Sequence, residues 1–338
     1  MADAITSVPA KSDWGAFRWG AKNPPVDPTT SYAGKTVLIT GPNAGLGFEA
    51  ATKFAALGAS KLIFGVRSLE KGKQAKAAIE QKTGCKPDVI QLLQLDMASY
   101  TSTEKFAREV NTKFSAVHVA VLNAGVAPPS YKPSPEGWEM ALQVNVISST
   151  YLAILLLPKL RETGLSTGQP AHLELVVSCG HGDVKAESVR DSTSILKKVS
   201  DPKNFSFTSQ YVITKLLEVW AMTHIAAKTS PSQVIVNSSC PSLCKSTLGR
   251  DFSIMLRIPD SLIKAIFART AEQGSRILVS ATTTGPDAHG GYWAHDRVAL
   301  PGVLVTSEEG KKLSNQFWKE LLDVLKTRNP DVEAVLNG

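Results

Sequence analysis

Tyr211 and Lys215 are the two residues whose types and spacing best suit acid–base chemistry in this sequence. They stand four positions apart in QYVITKLLEVWAM, which reads as one helix, so both side chains lie on the same helical face. A tyrosine normally loses its proton near about pH 10, and an adjacent positive charge favours the phenolate. The pair therefore predicts a tyrosine whose pKa is lowered by Lys215 and which serves as the proton donor that carbonyl reduction needs. Because this spacing also recurs by chance in ordinary helices, its interpretation depends on the rest of the chain.

A glycine-rich turn, TGPNAGLG, spans residues 40–47 between the apolar run KTVLIT and the helical pattern FEAATKFAALG. Glycines in such a strand-to-helix turn permit a tight bend and a close approach of the backbone to a pyrophosphate, which then lies on the helix N-terminus. A turn with a purely structural role is the alternative. In this context the segment predicts a dinucleotide site built from Gly41, Asn43, Gly45, Leu46 and Gly47.

Composition limits the class of protein. The 338 residues are 43% hydrophobic with a mean hydropathy of -0.03, which is typical of a globular protein with a sizeable core. The net charge of +7 is attributed to a lysine-rich surface rather than to nucleic-acid binding, and a basic cleft for an anionic cofactor also fits. The four cysteines show no CxxC spacing, so we expect reduced thiols, no metal site and a cytoplasmic location.

Apolar runs alternate with helical patterns from residue 35 onward. Each run is short, rich in Val, Ile and Leu, and lacks clean alternation, as strands buried on both faces do. This order predicts one α/β domain with a Rossmann-type doubly wound parallel sheet and helices on both faces. The predicted strands cover residues 35–40, 61–66, 88–95, 117–123, 173–178 and 233–239.

Several segments depart from this alternation. We expect an N-terminal extension at 1–34 that packs through Trp14, Phe17 and Trp19, followed by a catalytic domain at 35–330. A charged insertion occupies 182–206, and an apolar segment at 243–268 is predicted to be a lid over the substrate. The uncharged stretch 141–158 approaches the length of a membrane span but carries polar residues, so we expect a buried core helix and no membrane span.

The spacing G-x-x-x-G-x-G at residues 41–47 resembles the short-chain dehydrogenase/reductase superfamily. Further motifs match in order: QLDM at 94–97, LNAG at 122–125 and QVNVISS at 143–149. Individually these could be a cap, a turn and a buried polar group. The resemblance implies that Asp96 and Met97 meet the adenine, that Asn123, Ala124 and Gly125 lie beside the adenine ribose, and that Asn145 holds a water for proton relay.

The end of the fifth strand, HLELVVSCGHG, is similar to the branch that contains retinol dehydrogenases, the WW-domain oxidoreductase and fungal secondary-metabolite reductases. In that branch the strand ends with the catalytic serine, followed by a histidine. The resemblance therefore implies that Ser178 is the catalytic serine, although an alignment on a Ser-Ser pair would place Cys179 there. His181 is interpreted as a packed loop histidine.

The same family places an acidic residue after the second strand when it uses NAD. Here Val66 and Arg67 stand at that position, and an arginine can pair with a 2′-phosphate, so the cofactor is predicted to be NADP rather than NAD. Pro241 and Ser242 replace the family's Pro-Gly, which we expect to shift the loop backbone. Ser246 stands at the hydroxyl position that contacts the nicotinamide amide.

The resemblance implies an NADP(H)-dependent oxidoreductase that reduces a ketone or aldehyde, or oxidises the alcohol, on a lipophilic small molecule, in a biosynthetic pathway. In that chemistry Tyr211 is the acid, Ser178 orients the carbonyl, and Lys215 binds the nicotinamide ribose. The alternatives are a non-redox isomerase, dehydratase or cyclase that uses Tyr211 as acid or base, and a cofactor-sensing binding protein. Tyr211 follows Ser178 by 33 positions, and an insertion at this place resembles that of monomeric carbonyl reductases, so we expect a monomer.

Overall fold

A computed structural model of the chain describes residues 6–245, 248 and 263–338. An eight-stranded sheet runs through it in the order β3-β2-β1-β4-β5-β6-β7-β8. Strands β1 to β7 are parallel, and β8 joins the edge antiparallel to β7. In chain order, the strands are Thr36–Thr40, Lys61–Val66, Ile90–Gln94, Val119–Leu122, Ala171–Val176, Val234–Cys240, Tyr292–Ala294 and Arg297–Ala299.

Helices cover both faces of the sheet, which confirms the predicted doubly wound α/β fold. Helices α1 to α6 are Trp14–Lys22, Gly45–Ala56, Leu69–Thr83, Tyr100–Lys113, Ser149–Thr167 and Ala186–Val189, and a π-helical segment, Leu142–Ser148, leads directly into α5. Helices α7 to α12 are Ile195–Ser200, Phe207–Ala227, Ala271–Ser280, Val303–Thr306, Glu308–Lys326 and Val332–Asn337. Single 3-10 turns lie at Cys179–Asp183, Pro202–Asn204, Ala281–Thr283 and Pro286–Ala288.

The strands contribute side chains to two separate hydrophobic layers. In β1, Leu38 faces the layer formed by α4, α5, α8 and α11, while its neighbours Val37 and Ile39 face the layer formed by α2, α3 and α9. These side chains on both faces of β1 are fully buried, so this strand needs apolar residues at successive positions and shows no alternation of polar and apolar residues. Strand order reverses beside β1, which pairs with β2 on one side and β4 on the other. Open α/β sheets bind ligands at such a switch point.

The N-terminal segment packs on the last strands of the sheet. Ala10 donates its N–H to the Leu300 carbonyl, and the Thr6 carbonyl accepts from Leu300. Gly182 lies so close to the Ala10 carbonyl that an added Cβ would stand 1.5 Å from its oxygen. Any larger residue than glycine at position 182 would therefore displace this segment.

Arg269 fixes the next part of the same segment. Its side chain is 1% exposed, and Nε donates to the Gly20 carbonyl at 2.9 Å. The other guanidinium nitrogens donate to the carbonyls of Asn23 and Pro241 and to Nδ1 of His295. One buried cation thus joins α1, the β7–β8 turn and the loop that follows β6.

C-terminal helices cover α5 and α8. The His224 ring of α8 stacks on Trp318 of α11 with ring centroids 4.9 Å apart. Trp220, which is 1% exposed, donates its indole N–H to the Leu304 carbonyl. Arg161 of α5 donates to carbonyls at the end of α12. The outer faces of the two central helices are therefore packed against their own chain.

The charged insertion forms ordered helices, α6 and α7. Glu320 of α11 accepts hydrogen bonds from the Ser194 hydroxyl and from the amides of Ile195 and Leu196 at 2.8 to 3.0 Å. These contacts satisfy the free N–H groups at the start of α7. The insertion is thereby tied to the helix that packs on α8.

Among the described residues, one helical stretch, Leu142–Thr167, has the length and hydropathy of a membrane span. In the fold 89% of its apolar window is buried, between the sheet and the helices around it. This is the core helix that the sequence predicts at 141–158.

Candidate active site

The glycine turn connects β1 to α2 at the switch point. Gly41 and Gly45 have φ values of 68° and 60°, which are left-handed and favour glycine. Gly47 is required for space, because an added Cβ would stand 2.5 Å from Asn123 Nδ2 and 2.6 Å from the Gly41 carbonyl oxygen. The turn therefore brings its backbone, and the N-terminus of α2, to the carboxyl edge of the sheet.

Thr40 joins this turn to the end of β4. Its hydroxyl accepts hydrogen bonds from the amides of Asn123 and Ala124 at 3.0 and 2.9 Å. The Asn123 side chain donates back to the Thr40 carbonyl at 2.9 Å. The two loops that border the switch point are thus held as one rigid unit.

A cleft of about 970 Å³ opens above this unit, and we call it the switch-point cleft. Tyr211 and Lys215 line it together with the glycine turn. Ser246 lies outside the described residues, as does most of the lid predicted at 243–268. Among the predicted residues, those that line the cleft are Gly41, Asn43, Gly45, Leu46, Gly47, Arg67, Asp96, Met97, Asn123, Ala124, Gly125, Tyr211 and Lys215.

Two cations mark one end of the cleft. Arg67 is exposed directly after β2, and Lys71 lies on the first turns of α3 beside it. Ser68, which also lines the cleft, caps α3 by accepting from the Lys71 amide. Lys71 and Ser68 did not figure in the sequence prediction, although both follow Arg67 closely in the chain. Asp96, which follows the neighbouring strand β3 and also lines the cleft, accepts from the Ala98 amide at 3.0 Å.

Asn145 lies in the π-helical segment and does not line the cleft. Its Oδ1 accepts from the Val126 amide at 2.9 Å, and its Nδ2 donates to the Val126 carbonyl and the Thr214 hydroxyl at 3.0 Å. Thr214 stands one position before Lys215 on α8. The side chain thus fastens the loop after β4 to the helix of Tyr211, and the proton-relay water stays a prediction.

Lys215 is held between the sheet and its own helix. Its Nζ donates to the Val176 carbonyl at 2.8 Å and lies 2.7 Å from Glu218 Oε2. The same Nζ is 5.6 Å from the centroid of the Tyr211 ring. Glu218 was not among the predicted site residues, although its position three residues after Lys215 on one helix indicates that the two side chains can meet.

The pKa values of this group differ from the sequence prediction. Burial raises the pKa of Tyr211, and the charge of Glu218 adds to the rise. The predicted net lowering of the Tyr211 pKa is therefore not found, because burial has the largest effect on the phenol and the Glu218 charge acts in the same direction. Burial also raises the pKa of Glu218 to about 7, against the opposing effect of Lys215.

Ser178 ends the fifth strand and is half-buried, with its hydroxyl accepting from the Gly180 amide at 3.2 Å. An added Cβ on Gly180 would stand 2.6 Å from Val212, the residue after Tyr211, so this turn packs directly on α8. His181 is buried, with Nδ1 2.6 Å from the Ser178 carbonyl and Nε2 accepting from the Gly302 amide at 2.8 Å. Both ring nitrogens are therefore engaged in holding the backbone of the turn.

Cys179 does not line the switch-point cleft. It lines a separate, mainly apolar cavity of about 290 Å³ together with Cys240, Tyr292 and the N-terminal segment. The Cys240 sulfur accepts from the amides of Cys179 and Ser242 at 3.1 and 3.4 Å. We call this space the thiol cavity.

Ser242 adopts the conformation that glycine would have at its position. Its φ is 67°, a left-handed value that costs a non-glycine residue about 1 kcal/mol or more. Glycine adopts such a conformation without strain, and the shift of the loop expected from the loss of glycine stays a prediction. The Arg269 guanidinium holds the preceding Pro241 carbonyl at 3.2 Å and fixes the loop.

The parallel sheet, the glycine turn at its switch point and the polar residues at the strand ends define a Rossmann-type dinucleotide-binding fold. Solved structures share this fold. A 3-ketoacyl-(acyl-carrier-protein) reductase from Brucella melitensis, complexed with NADH, aligns with a TM-score of 0.57 at 20% identity, covering 78% of this chain and 97% of that one. A short-chain dehydrogenase from Shigella flexneri, complexed with NADP, aligns with a TM-score of 0.55 at 19% identity, covering 80% and 100%.

Sequence comparison identifies the family. Residues 35–168 match the family described as short chain dehydrogenase. The short-chain dehydrogenase/reductase ffsI of Aspergillus flavipes is 74% identical over 337 residues, which are 100% of this chain and 99% of that protein. The short-chain dehydrogenase/reductase phmF of Phaeosphaeria nodorum is 71% identical over 338 residues, 100% of each. The chain therefore belongs to the short-chain dehydrogenase/reductase family, as the motifs predict, and has close fungal relatives.

Proposed function

We propose that this short-chain dehydrogenase/reductase is an NADP(H)-dependent oxidoreductase that reduces a ketone or aldehyde on a lipophilic small molecule, or oxidises the corresponding alcohol. The observation that supports this most is the joint placement of Tyr211 and Lys215 in the same cleft as the glycine turn. A proton donor and a dinucleotide cradle at one site are the two requirements of carbonyl reduction.

The residues present fit a dinucleotide. The left-handed Gly41 and Gly45 bring backbone and a helix N-terminus to the cleft, where they suit a pyrophosphate. Arg67 and Lys71 would hold a 2′-phosphate at the opposite end, where their positive charges lie together. The cofactor would supply the hydride, and the protein would supply position and electrostatics.

The protein's own groups would handle the proton and the orientation of the substrate. Tyr211 would donate its phenolic proton to the carbonyl oxygen as the alcohol forms. Ser178, on the turn packed against α8, would hydrogen-bond the same oxygen and orient the carbonyl. Lys215 would bind a ribose hydroxyl and keep positive charge beside the phenol, while Asn145 would hold the loop and the helix in register.

Replacing Tyr211 tests the chemical proposal. Tyr211→Phe should lower kcat by at least about a hundredfold with a carbonyl substrate, because it removes the proton donor. Its NADPH affinity, measured by fluorescence titration, should stay within about twofold of the parent. Tyr151→Phe is the matched control, since that buried hydroxyl bonds Glu104 outside the cleft and its removal should leave kcat unchanged. Turnover by Tyr211→Phe near the parental rate would refute the assignment, and product formation without NADPH consumption would favour a non-redox enzyme.

The cofactor preference rests on Arg67. Arg67→Ala should weaken NADPH binding by about 10- to 100-fold, the value of a charge-assisted contact, and should leave NADH binding unchanged. Arg108→Ala, an exposed arginine on α4 that does not line the cleft, is the control. Equal affinity of the parent enzyme for the two cofactors would contradict the NADP proposal.

The lipophilic substrate is supported by the apolar side chains of Met140, Val144 and Val177, which line the switch-point cleft together with Tyr211. A panel of ketones and aldehydes graded by apolar area should show kcat/KM rising with that area. The close relation to enzymes of filamentous fungi supports a role in a biosynthetic pathway. A cytoplasmic location is proposed because all four cysteines are unpaired thiols.

A monomer is supported because α12 packs on α5 and α11 packs on α8, so the outer faces of these two helices are already covered. Light scattering should give the 36.2 kDa mass of one chain at micromolar concentration. A mass twice as large would refute it.

A further inference from the structure

The Lys215–Glu218 pair is the strongest feature that the proposed mechanism does not use. Lys215 is 5% exposed and Glu218 is 2% exposed, so both charges are removed from water. Their 2.7 Å contact is an ion pair, and the lysine also donates an N–H to the Val176 carbonyl. An isolated carboxylate at such a site would be strongly disfavoured, so the pair needs a reason beyond packing.

The position of Glu218 suggests that reason. Its Oε2 lies 2.7 Å from Lys215 Nζ, which is itself 5.6 Å from the Tyr211 ring centroid, so the carboxylate oxygen is at most about 8.3 Å from that centroid. At that distance a single negative charge acts on Tyr211 with a strength comparable to that of the ammonium. We propose that Glu218 is a positioning residue, which holds the Lys215 ammonium at the end of β5 and offsets its charge, so that the charge state of Glu218 governs how readily Tyr211 gives up its proton.

Other groups also face Tyr211 from the elements around it. They are the thiols of Cys179 after β5, Cys240 at the end of β6 and Cys244 in the following loop. All three are the same in every variant described below, so they do not produce differences between variants. Lys215 is the one charged group that acts on Glu218 itself among the described residues.

The inference has a direct chemical consequence and rests on the proposed role of Tyr211 as acid. When Glu218 is ionised, the field of Lys215 at Tyr211 is largely cancelled and the phenol keeps its proton. When Glu218 is neutral, the ammonium acts alone and favours the phenolate. Tyr211 therefore gives up its proton more readily when Glu218 is neutral than when Glu218 is ionised near neutral pH.

Glu218→Gln tests this, since it removes the charge and keeps the shape. The enzyme is labelled biosynthetically with 3-fluorotyrosine, and the 19F signal of each of the six tyrosines is followed against pH without ligand. The Tyr211 signal is assigned by its loss in Tyr211→Phe. Glu218→Gln should move the Tyr211 titration down by about one pH unit, the effect expected of one charge at this distance. Glu174→Gln, at another buried glutamate that has Ser239 as its partner, should move it by less than about 0.3 unit.

The double variant Lys215→Met/Glu218→Gln is measured as well, because it leaves no unpaired buried charge and so can fold even if Glu218→Gln does not. Its Tyr211 titration should return to within about 0.3 unit of the parent. An unchanged titration in Glu218→Gln, or an equal downward shift in the double variant, would overturn the proposal.

A second readout uses turnover. In the alcohol-oxidation direction Tyr211 must be deprotonated to accept the proton, so the acid-side limb of kcat/KM should move down by about one pH unit in Glu218→Gln. A purely structural role would lower the amplitude of the profile and leave the limb in place, and that result would count against the proposal. Absence of turnover in the parent enzyme would refute the proposed function alone, because the 19F titration is made without cofactor or substrate.

Discussion

Arg269 should be one of the most costly residues to replace in this protein. Arg269→Met keeps the apolar stem but removes the donors to the carbonyls of Gly20, Asn23 and Pro241. Each buried carbonyl that loses a charged donor costs about 1 to 3 kcal/mol, and the recovered desolvation energy of the guanidinium reduces the sum. We expect a loss of about 3 to 5 kcal/mol in the free energy of unfolding.

Urea unfolding at pH 7, followed by fluorescence and by circular dichroism, would measure this loss. Arg190→Met is the matched control, because Arg190 pairs with Glu309 on the surface and its loss should cost less than about 1 kcal/mol. NADPH affinity should also fall in Arg269→Met, since the Pro241 loop loses its anchor. A loss of less than about 1 kcal/mol would refute the view that this guanidinium unites three parts of the fold.

Three further changes follow from particular contacts. Gly164→Ala should lower the free energy of unfolding in urea by about 1 to 3 kcal/mol, because the new Cβ would stand 2.2 Å from the Gln233 carbonyl oxygen. Leu165→Ala is the control, since this exposed residue should change the same free energy by less than about 0.5 kcal/mol. Ser242→Gly should raise the free energy of unfolding by about 0.5 to 1 kcal/mol, since it relieves a left-handed serine, and an unchanged or lower value would contradict that account. Burial lowers the pKa of His181 to about 4, so the unfolded chain binds a proton there from about pH 6.5 downward while the folded chain does not. The free energy of unfolding should therefore fall by about 3 kcal/mol as the pH drops from about 6.5 toward 4. In His181→Asn, urea unfolding at several pH values in this range should show a smaller fall, because the contribution of His181 is gone.

The parts of the fold that sequence could predict are those in which one local pattern decides the structure. Strands β1, β2 and β4 read as continuous apolar runs because both of their faces are buried, and the glycine turn follows from the steric demand at Gly47. The predicted cofactor residues in the described part of the chain converge on one cleft because the carboxyl ends of parallel strands share an edge. The β7–β8 hairpin was missed, since its turn uses His295 and Asp296 at positive φ instead of the usual Asn-Gly.

The electrostatics of the site required three-dimensional information. The sequence showed Lys215 one turn from Tyr211, and on that basis it predicted a lowered tyrosine pKa. It could not show how far burial would raise that pKa or that the Glu218 carboxylate would meet the ammonium at 2.7 Å. The role of Asn145 was equally hidden, because its partners Val126 and Thr214 lie on segments 19 and 69 positions away in the chain.

The docking of the N-terminal segment has a consequence for biosynthesis. Residues 6–23 contact Gly182 and Asp183 in the middle of the chain, but they also contact Arg269, the β7–β8 hairpin and Leu300, which are made late in translation. These late contacts of the segment can therefore form only after the chain has been synthesised past residue 300. Completion of synthesis and closure of the Pro241 loop are thereby coupled, so a chain truncated before residue 269 should bind to chaperones rather than to cofactor.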